Sequence, residues 1–299
     1  MTPQRKSDDD MNTPVEAKFA GVCDSRLSTL SEVDSNHDKS IAPLAAATAQ
    51  MFYLGSGCKI DNSKNLHLTS RYLRDVSIGG HRLCTYTKSD FGRFLSQPCA
   101  VAGWTAVLVG PRHVLTAAHA IDVSKARGHY LVFGRTTNAP HVEFNGSEII
   151  VKQGDYYQVN SLLAYVNSGN TDWALLELVS TPDIRPLDVR PWKPGVNGIT
   201  LGHPLGLPMK TSDFKPDSQR PAVLPYQISV DNASAGSGTP VFQEGHVVGV
   251  IRGDADIDKE CLVRHGNLLC LDPAFRTCDV LQPFTPSQKF AQTLPEIFG

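Results

Sequence analysis

Three side chains in this 299-residue chain have the types and surroundings needed to make a hydroxyl nucleophilic near neutral pH. His119 lies in TAAHA after a run of small residues, Asp172 opens the apolar run DWALLEL, and Ser237 sits between Gly236 and Gly238 in AGSGTPVF. An imidazole that takes the serine proton during attack on a carbonyl needs a fixed position and the right tautomer, and a buried carboxylate on its far nitrogen supplies both. Glycines flanking a serine remove Cβ atoms where a substrate must approach, and they permit a sharp turn that aims backbone N–H groups at one point, an oxyanion hole. Taken singly, His119 reads as a core histidine, Asp172 as a strand cap and Ser237 as part of a hairpin turn. The chemical meaning comes from the ordered set.

The elements that must position these residues read as short β-rich runs between turns. They are WTAVLV at 104–109, HVLTAA at 113–118, YLVF at 130–133, EIIV at 148–151, WALLEL at 173–178, ITLG at 199–202 and VVGVI at 247–251. Strands of this length without intervening helical periodicity predict an all-β sandwich or barrel. Prolines between Pro182 and Pro194 mark a crossover between two halves. Residues 98–299 read as the main domain, 21–97 as a turn-rich lead-in packed on that domain, and 1–20 as a flexible polar tail. Within the lead-in, Leu44 to Tyr53 predicts a short helix or strand. Near the C-terminus, Ser287 as a cap and Phe290, Leu294 and Phe298 at a spacing of four predict a short docking helix over 285–298.

Composition narrows the function classes. The chain is 41% hydrophobic and 19% charged, ordinary for a globular protein, and its formal net charge of -2 gives no reason to expect a nucleic-acid partner. No apolar stretch is long enough to span a bilayer, so no membrane partner is expected. The polar first residues contain no apolar segment of a secretory signal, which favours a cytoplasmic location over a secreted or periplasmic one. Seven cysteines, Cys23, Cys58, Cys84, Cys99, Cys261, Cys270 and Cys278, do not decide the compartment. Cys261, His265, Cys270 and Cys278 form the one metal-like cluster; without paired CxxC spacing they read as disulfides or thiols before zinc, so no metal is expected and a zinc-stapled interaction module is a minor alternative.

TAAH, DWALL, GSGTPVF and VVGVIRG in this order resemble the chymotrypsin-like (trypsin-fold) serine peptidases, and GHPLGLPMK at 202–210 is similar to bacterial trypsin-like and glutamyl-endopeptidase-like members. The resemblance covers roughly 93–284. It implies two six-stranded antiparallel β-barrels with the active site in the cleft between them, a polypeptide substrate and no cofactor. It assigns His119, Asp172 and Ser237 as the triad of a serine endopeptidase working through an acyl-enzyme. The N–H groups of Ser237 and Ala235 become the oxyanion donors.

The departures from the family's pattern also carry information. Gly236 replaces the aspartate that pairs with a newly cut N-terminus in digestive members, which argues against that activation route. Ala120 replaces a cysteine, leaving Cys99 without that partner. Ala235 stands where the family has glycine, and alanine resists positive φ. That residue motivates the alternative of a catalytically impaired binding or regulatory protein, and a regulatory partner is a further candidate. Asp231, six residues before the serine, is placed at the base of the primary pocket and favours basic substrates by charge pairing. Arg252 and Gly253 are candidate substrate-binding residues beyond Ile251, which occupies the place where glutamate-selecting relatives have histidine; Arg252 either holds a substrate carboxylate or pairs with Asp231 or Asp254 without effect on selectivity.

Overall fold

The computed structural model describes residues 31–33, 39–78, 81–82, 94–101, 103–169, 171–214, 227–229, 236–252, 262–265, 268–271 and 281–294. Among the described residues regular structure is mostly β-strand, and six strands close into an antiparallel barrel. Around that barrel run His129–Phe133, Tyr157–Ser168, Thr171–Leu178, His113–Thr116, Trp104–Gly110 and Thr48–Tyr53, the last pairing back to the first. The lead-in therefore supplies one wall of the barrel. Leu44 to Tyr53 contains both predicted elements in succession. Pro43 opens a helix over Ala42–Ala47, and the chain extends at Thr48.

Alternation of side chains explains why this wall is apolar on both faces. Ala49, Met51, Leu131 and Phe133 point into the barrel core, whereas Phe52, Tyr130 and Val132 point outward under a further sheet. That sheet is built from Cys58–Ile60, Leu66–Tyr72, Glu148–Val151 and Val142–Phe144, with Pro98–Ala100 pairing Leu66–Tyr72. A strand covered on both faces has no polar side to show, and its sequence loses the alternation that would mark it.

Every strand predicted from the sequence is present. The longest strand, Tyr157–Ser168, was not predicted, because shifts in register between Val159 and Ser161 and between Leu162 and Ala164 break its two-residue period. The crossover is pinned as expected: Leu187 N–H donates to Leu108 C=O, and Val247 exchanges backbone hydrogen bonds with Asp188 and Arg190.

The second half is β-sheet, as expected, and the described residues do not decide its closure into a six-stranded barrel. Among the described residues it is a seven-stranded sheet in the order Ser31–Glu32, Lys210–Phe214, Gly198–Gly202, Pro240–Gln243, His246–Ile251, Leu281–Pro286, Gln227–Ser229, with no pair closing its ends. The helix expected over 285–298 does not begin at Thr285. Thr285 lies in a strand, and Ser287–Lys289 forms one 3-10 turn. Ser287 does not cap it, since its hydroxyl donates to Arg190 C=O at 2.6 Å. Phe290 and Leu294 nevertheless dock on the main core, with the Phe290 ring 5.6 Å from that of Trp173. Residues 1–30, the remainder of the expected helix, and the side chains of the cysteine and histidine cluster at 261–278 lie outside what is described.

The lead-in also reaches the second sheet. Ser31 and Glu32 pair with Thr211 and Lys210, and Glu32 accepts hydrogen bonds from Lys210 Nζ at 3.0 Å, Thr137 Oγ1 at 2.6 Å and Gln97 Nε2. The Lys210 side chain is fully buried, donates also to Pro208 C=O and lies 4.8 Å from the centre of the Phe94 ring. Burial outweighs Glu32 and lowers the Lys210 ammonium from 10.5 to about 8. Between those values the unfolded chain holds the proton and the folded one does not, so rising pH favours the folded state through this residue. Cys58 and Cys99, raised by burial from 9.0 to about 12, act in the opposite sense above pH 9. Lys210 is therefore isolated by difference. In urea titrations, wild type is expected to gain stability relative to Lys210→Met as pH rises from about 8 to about 10; parallel curves would contradict this burial.

Candidate active site

Asp172 is buried, its side chain 3% exposed, at the start of the barrel strand Thr171–Leu178. The neighbouring strand His113–Thr116 pairs with Ala174 to Glu177 and then leaves the sheet. Ala117, in extended conformation, leads into a 3-10 turn over Ala118–Ala120 that carries His119 back over the aspartate. The alanines around His119 are buried, and their small side chains let the turn lie close against the barrel.

Asp172 grips the histidine at two points. Its Oδ1 accepts from the His119 backbone N–H at 3.0 Å, and its Oδ2 lies 2.6 Å from His119 Nδ1. A carboxylate partner makes Nδ1 the protonated nitrogen, leaving Nε2 as an acceptor. Burial by itself raises the Asp172 carboxyl, but hydrogen bonds from the His119 ring, the His119 N–H and the Ala118 N–H outweigh it and hold the group below its ordinary value. Asp172 is thus ionised at neutral pH.

Ser237 Oγ lies 2.8 Å from His119 Nε2. The three sequence-predicted residues, 53 and 65 positions apart along the chain, therefore form one hydrogen-bonded line. The imidazole is 35% exposed at the side chain, while the aspartate behind it is closed off from solvent and Ser237 is buried beside it.

Gly238 makes the sharp turn read from the sequence and has a further role in packing. Its φ of 78° is a left-handed conformation. A Cβ there would meet Thr105 C=O at 2.1 Å and Thr116 Oγ1 at 2.3 Å, so the glycine makes room for the barrel rather than for substrate. Its N–H donates to Ile251 C=O at 2.8 Å, Thr239 N–H donates to Gly236 C=O at 2.8 Å, and Thr105 N–H donates to Ser237 C=O at 3.0 Å. The serine turn is clasped on both sides by backbone.

Arg252 lies next to this turn, half-buried, directly after Ile251, whose N–H donates to Thr239 C=O. Asp231, Ala235 and Gly253 lie outside the described residues. Cys99 is a free thiol, in keeping with Ala120 at the place of its partner.

Sequence reasoning missed the supports of the site. Thr105 accepts the Thr116 hydroxyl on its carbonyl at 2.7 Å and the His203 N–H on its own hydroxyl at 3.2 Å, besides holding Ser237. Arg135 is fully buried; its guanidinium donates to Gln50 Oε1, Gly206 C=O, Leu207 C=O and Pro98 C=O. These bonds anchor GHPLGLPMK, where Leu205 has a φ of 54°. A Cβ on Gly206 would lie 2.0 Å from Ala100 C=O. The one available signal was Gly206 and two prolines inside that motif.

Residues 104–250, a little under half of the chain, match the family described as trypsin-like peptidase domain. This segment contains His119, Asp172 and Ser237, and the resemblance to trypsin-fold serine peptidases read from the motifs is borne out. No curated protein sequence matches the chain. Among solved structures, Rv3671c protease in an inactive form is similar at 15% identity, covering 90% of this chain and 98% of that one with a TM-score of 0.45. A second structure of Rv3671c, from M. tuberculosis H37Rv, has 14% identity, coverage of 91% and 96% and a TM-score of 0.44. A Glu endopeptidase in complex with MPD has 12% identity, coverage of 90% and 96% and a TM-score of 0.46. Likeness at this level carries no weight for substrate or mechanism.

The packing of Gly238 leads to a direct test. Gly238→Ala is expected to lose about 2 kcal/mol or more of unfolding free energy, from the left-handed backbone and the clash together. Chemical denaturation checks this, and an unchanged midpoint would contradict the close approach of the serine turn to the barrel.

Proposed function

We propose that this chain, whose residues 104–250 match a trypsin-like peptidase domain, is a serine endopeptidase that hydrolyses peptide bonds through an acyl-enzyme. The observation that carries the reading is the continuous line from Asp172 through His119 to Ser237, with contacts of 2.6 and 2.8 Å.

The Ser237 hydroxyl donates to His119 Nε2 and transfers its proton there as Oγ attacks the peptide carbonyl carbon. The carbonyl π pair moves onto oxygen, and the N–H groups of Ser237 and Ala235 receive the negative charge. Asp172, held ionised, stabilises the imidazolium and fixes its tautomer. His119 then gives the proton to the departing amine, the C–N bond breaks, and the acyl group remains on Ser237. Water, deprotonated by His119, releases the acid and restores the hydroxyl.

For the primary pocket we favour substrates with lysine or arginine at the cleaved residue. Asp231 is the residue proposed to supply the charge, with Arg252 and Gly253 as further candidates for binding substrate.

A fluorophosphonate probe is expected to label the intact protein on Ser237, and Ser237→Ala is expected to abolish labelling. Asp172→Asn, which keeps the shape but supplies the wrong hydrogen-bond pattern, is expected to lower turnover by about 10⁴-fold. Cleavage of a peptide library then reads the pocket. Failure of folded wild-type protein to react with the probe would sink the peptidase reading and favour a binding role for the same scaffold.

A further inference from the structure

Asp172 is held by its backbone as well as by its side chain. In the barrel strand Thr171–Leu178, Ala174 pairs with Thr116 on the His113–Thr116 strand, and the next position on that side of the strand is Asp172. No strand partner remains for it there, because the chain turns away at Ala117 to carry His119. The peptide groups of Asp172 would be left buried and unpaired, at a cost a folded protein avoids.

A side chain from the second sheet fills the gap. Thr285 Oγ1 accepts the Asp172 N–H at 2.9 Å and lies 3.1 Å from the Asp172 C=O, to which it donates its own proton. A hydroxyl is well suited to this, having one donor and two acceptor lone pairs on a single atom. Thr285 is fully buried and its backbone faces Val250, one residue before the Ile251 that receives the Gly238 N–H. The two ends of the triad are thereby tied to adjacent residues of one strand: the aspartate through Thr285 and Val250, the serine turn through Ile251.

We infer that Thr285 is a positioning residue, which clips the Asp172 peptide to the second sheet and so holds its carboxylate in register with His119. The inference rests on the proposed peptidase chemistry for its kinetic consequence, but not for its structural one. Among the described residues Asp172 is the carboxylate in hydrogen-bond contact with the His119 ring, so a tilt of its peptide is transmitted there directly.

The test compares Thr285→Val, which keeps the shape and removes the hydroxyl, with Thr285→Ser, which restores the hydroxyl. Thr285→Val is expected to lower kcat by about tenfold, the worth of one good hydrogen bond, with KM little changed. The low-field proton resonance of the His119 Nδ1–H should move upfield in the same variant, and Thr285→Ser should return both readouts to wild type. A folded Thr285→Val with wild-type kcat and an unmoved resonance would overturn the assignment, as would equal losses in the Val and Ser variants. If Thr285→Val does not fold, Thr285→Ser against Thr285→Ala isolates the hydroxyl in the same way. Should wild type prove inert towards fluorophosphonate, the peptidase reading fails, while the resonance still decides whether Thr285 positions Asp172.

Discussion

The site depends on a carboxylate that is both buried and charged. A lone ionised aspartate at the depth of Asp172 would be strongly disfavoured and would take up a proton. Here the His119 ring, the His119 N–H and the Ala118 N–H all donate to it, and together they outweigh the cost of burial. Much of the local architecture comes from supplying those donors. The His113–Thr116 strand must leave the barrel in order to bring His119 and its backbone over the aspartate, and the residues that make the turn must be small.

That departure opens a gap in the barrel, and the second sheet closes it. Thr285 satisfies the aspartate peptide, while the serine turn fits against Thr105 and Thr116 through a position that only glycine can occupy. The seam between the two sheets is correspondingly polar. Arg135 and Lys210 are buried cations whose desolvation is only partly offset, by carbonyls and, for Lys210, by Glu32 from the lead-in. Buried charges of this kind contribute little net stability, and their effect here is geometric, since each cation holds several acceptors in fixed positions at once. They fix the turn at 203–210 in a conformation that includes a left-handed leucine. The lead-in thus takes part in the seam twice, as a barrel wall at Thr48–Tyr53 and as a strap at Ser31–Glu32.

Strands with a clear two-residue period, or with an apolar run closed by turns, were legible without coordinates. Tyr157–Ser168 was not, because its bulges destroy the period, and neither was the strand containing Thr285, whose prolines and hydroxyls resemble the start of a helix. For the site, the types of His119, Asp172 and Ser237 suggested the chemistry, and the sharp turn at Gly238 was legible while its packing against the barrel was not. Its constraint comes from a strand more than a hundred residues away.

The amino-acid order by itself singled out His119, Asp172 and Ser237 as a candidate site and determined the β-rich character of the chain and the crossover between its halves, since each is a property of residue type or of local period. Only the tertiary structure decided how seven strands pair into one sheet in the second half among the described residues, that the lead-in completes the barrel, and that Thr105, Thr285, Arg135 and Lys210 hold the site in place. Those roles arise from contacts between distant segments, where burial converts an ordinary threonine or lysine into a group whose hydrogen bonds must all be met. Nothing in the immediate neighbourhood of such a residue records that demand.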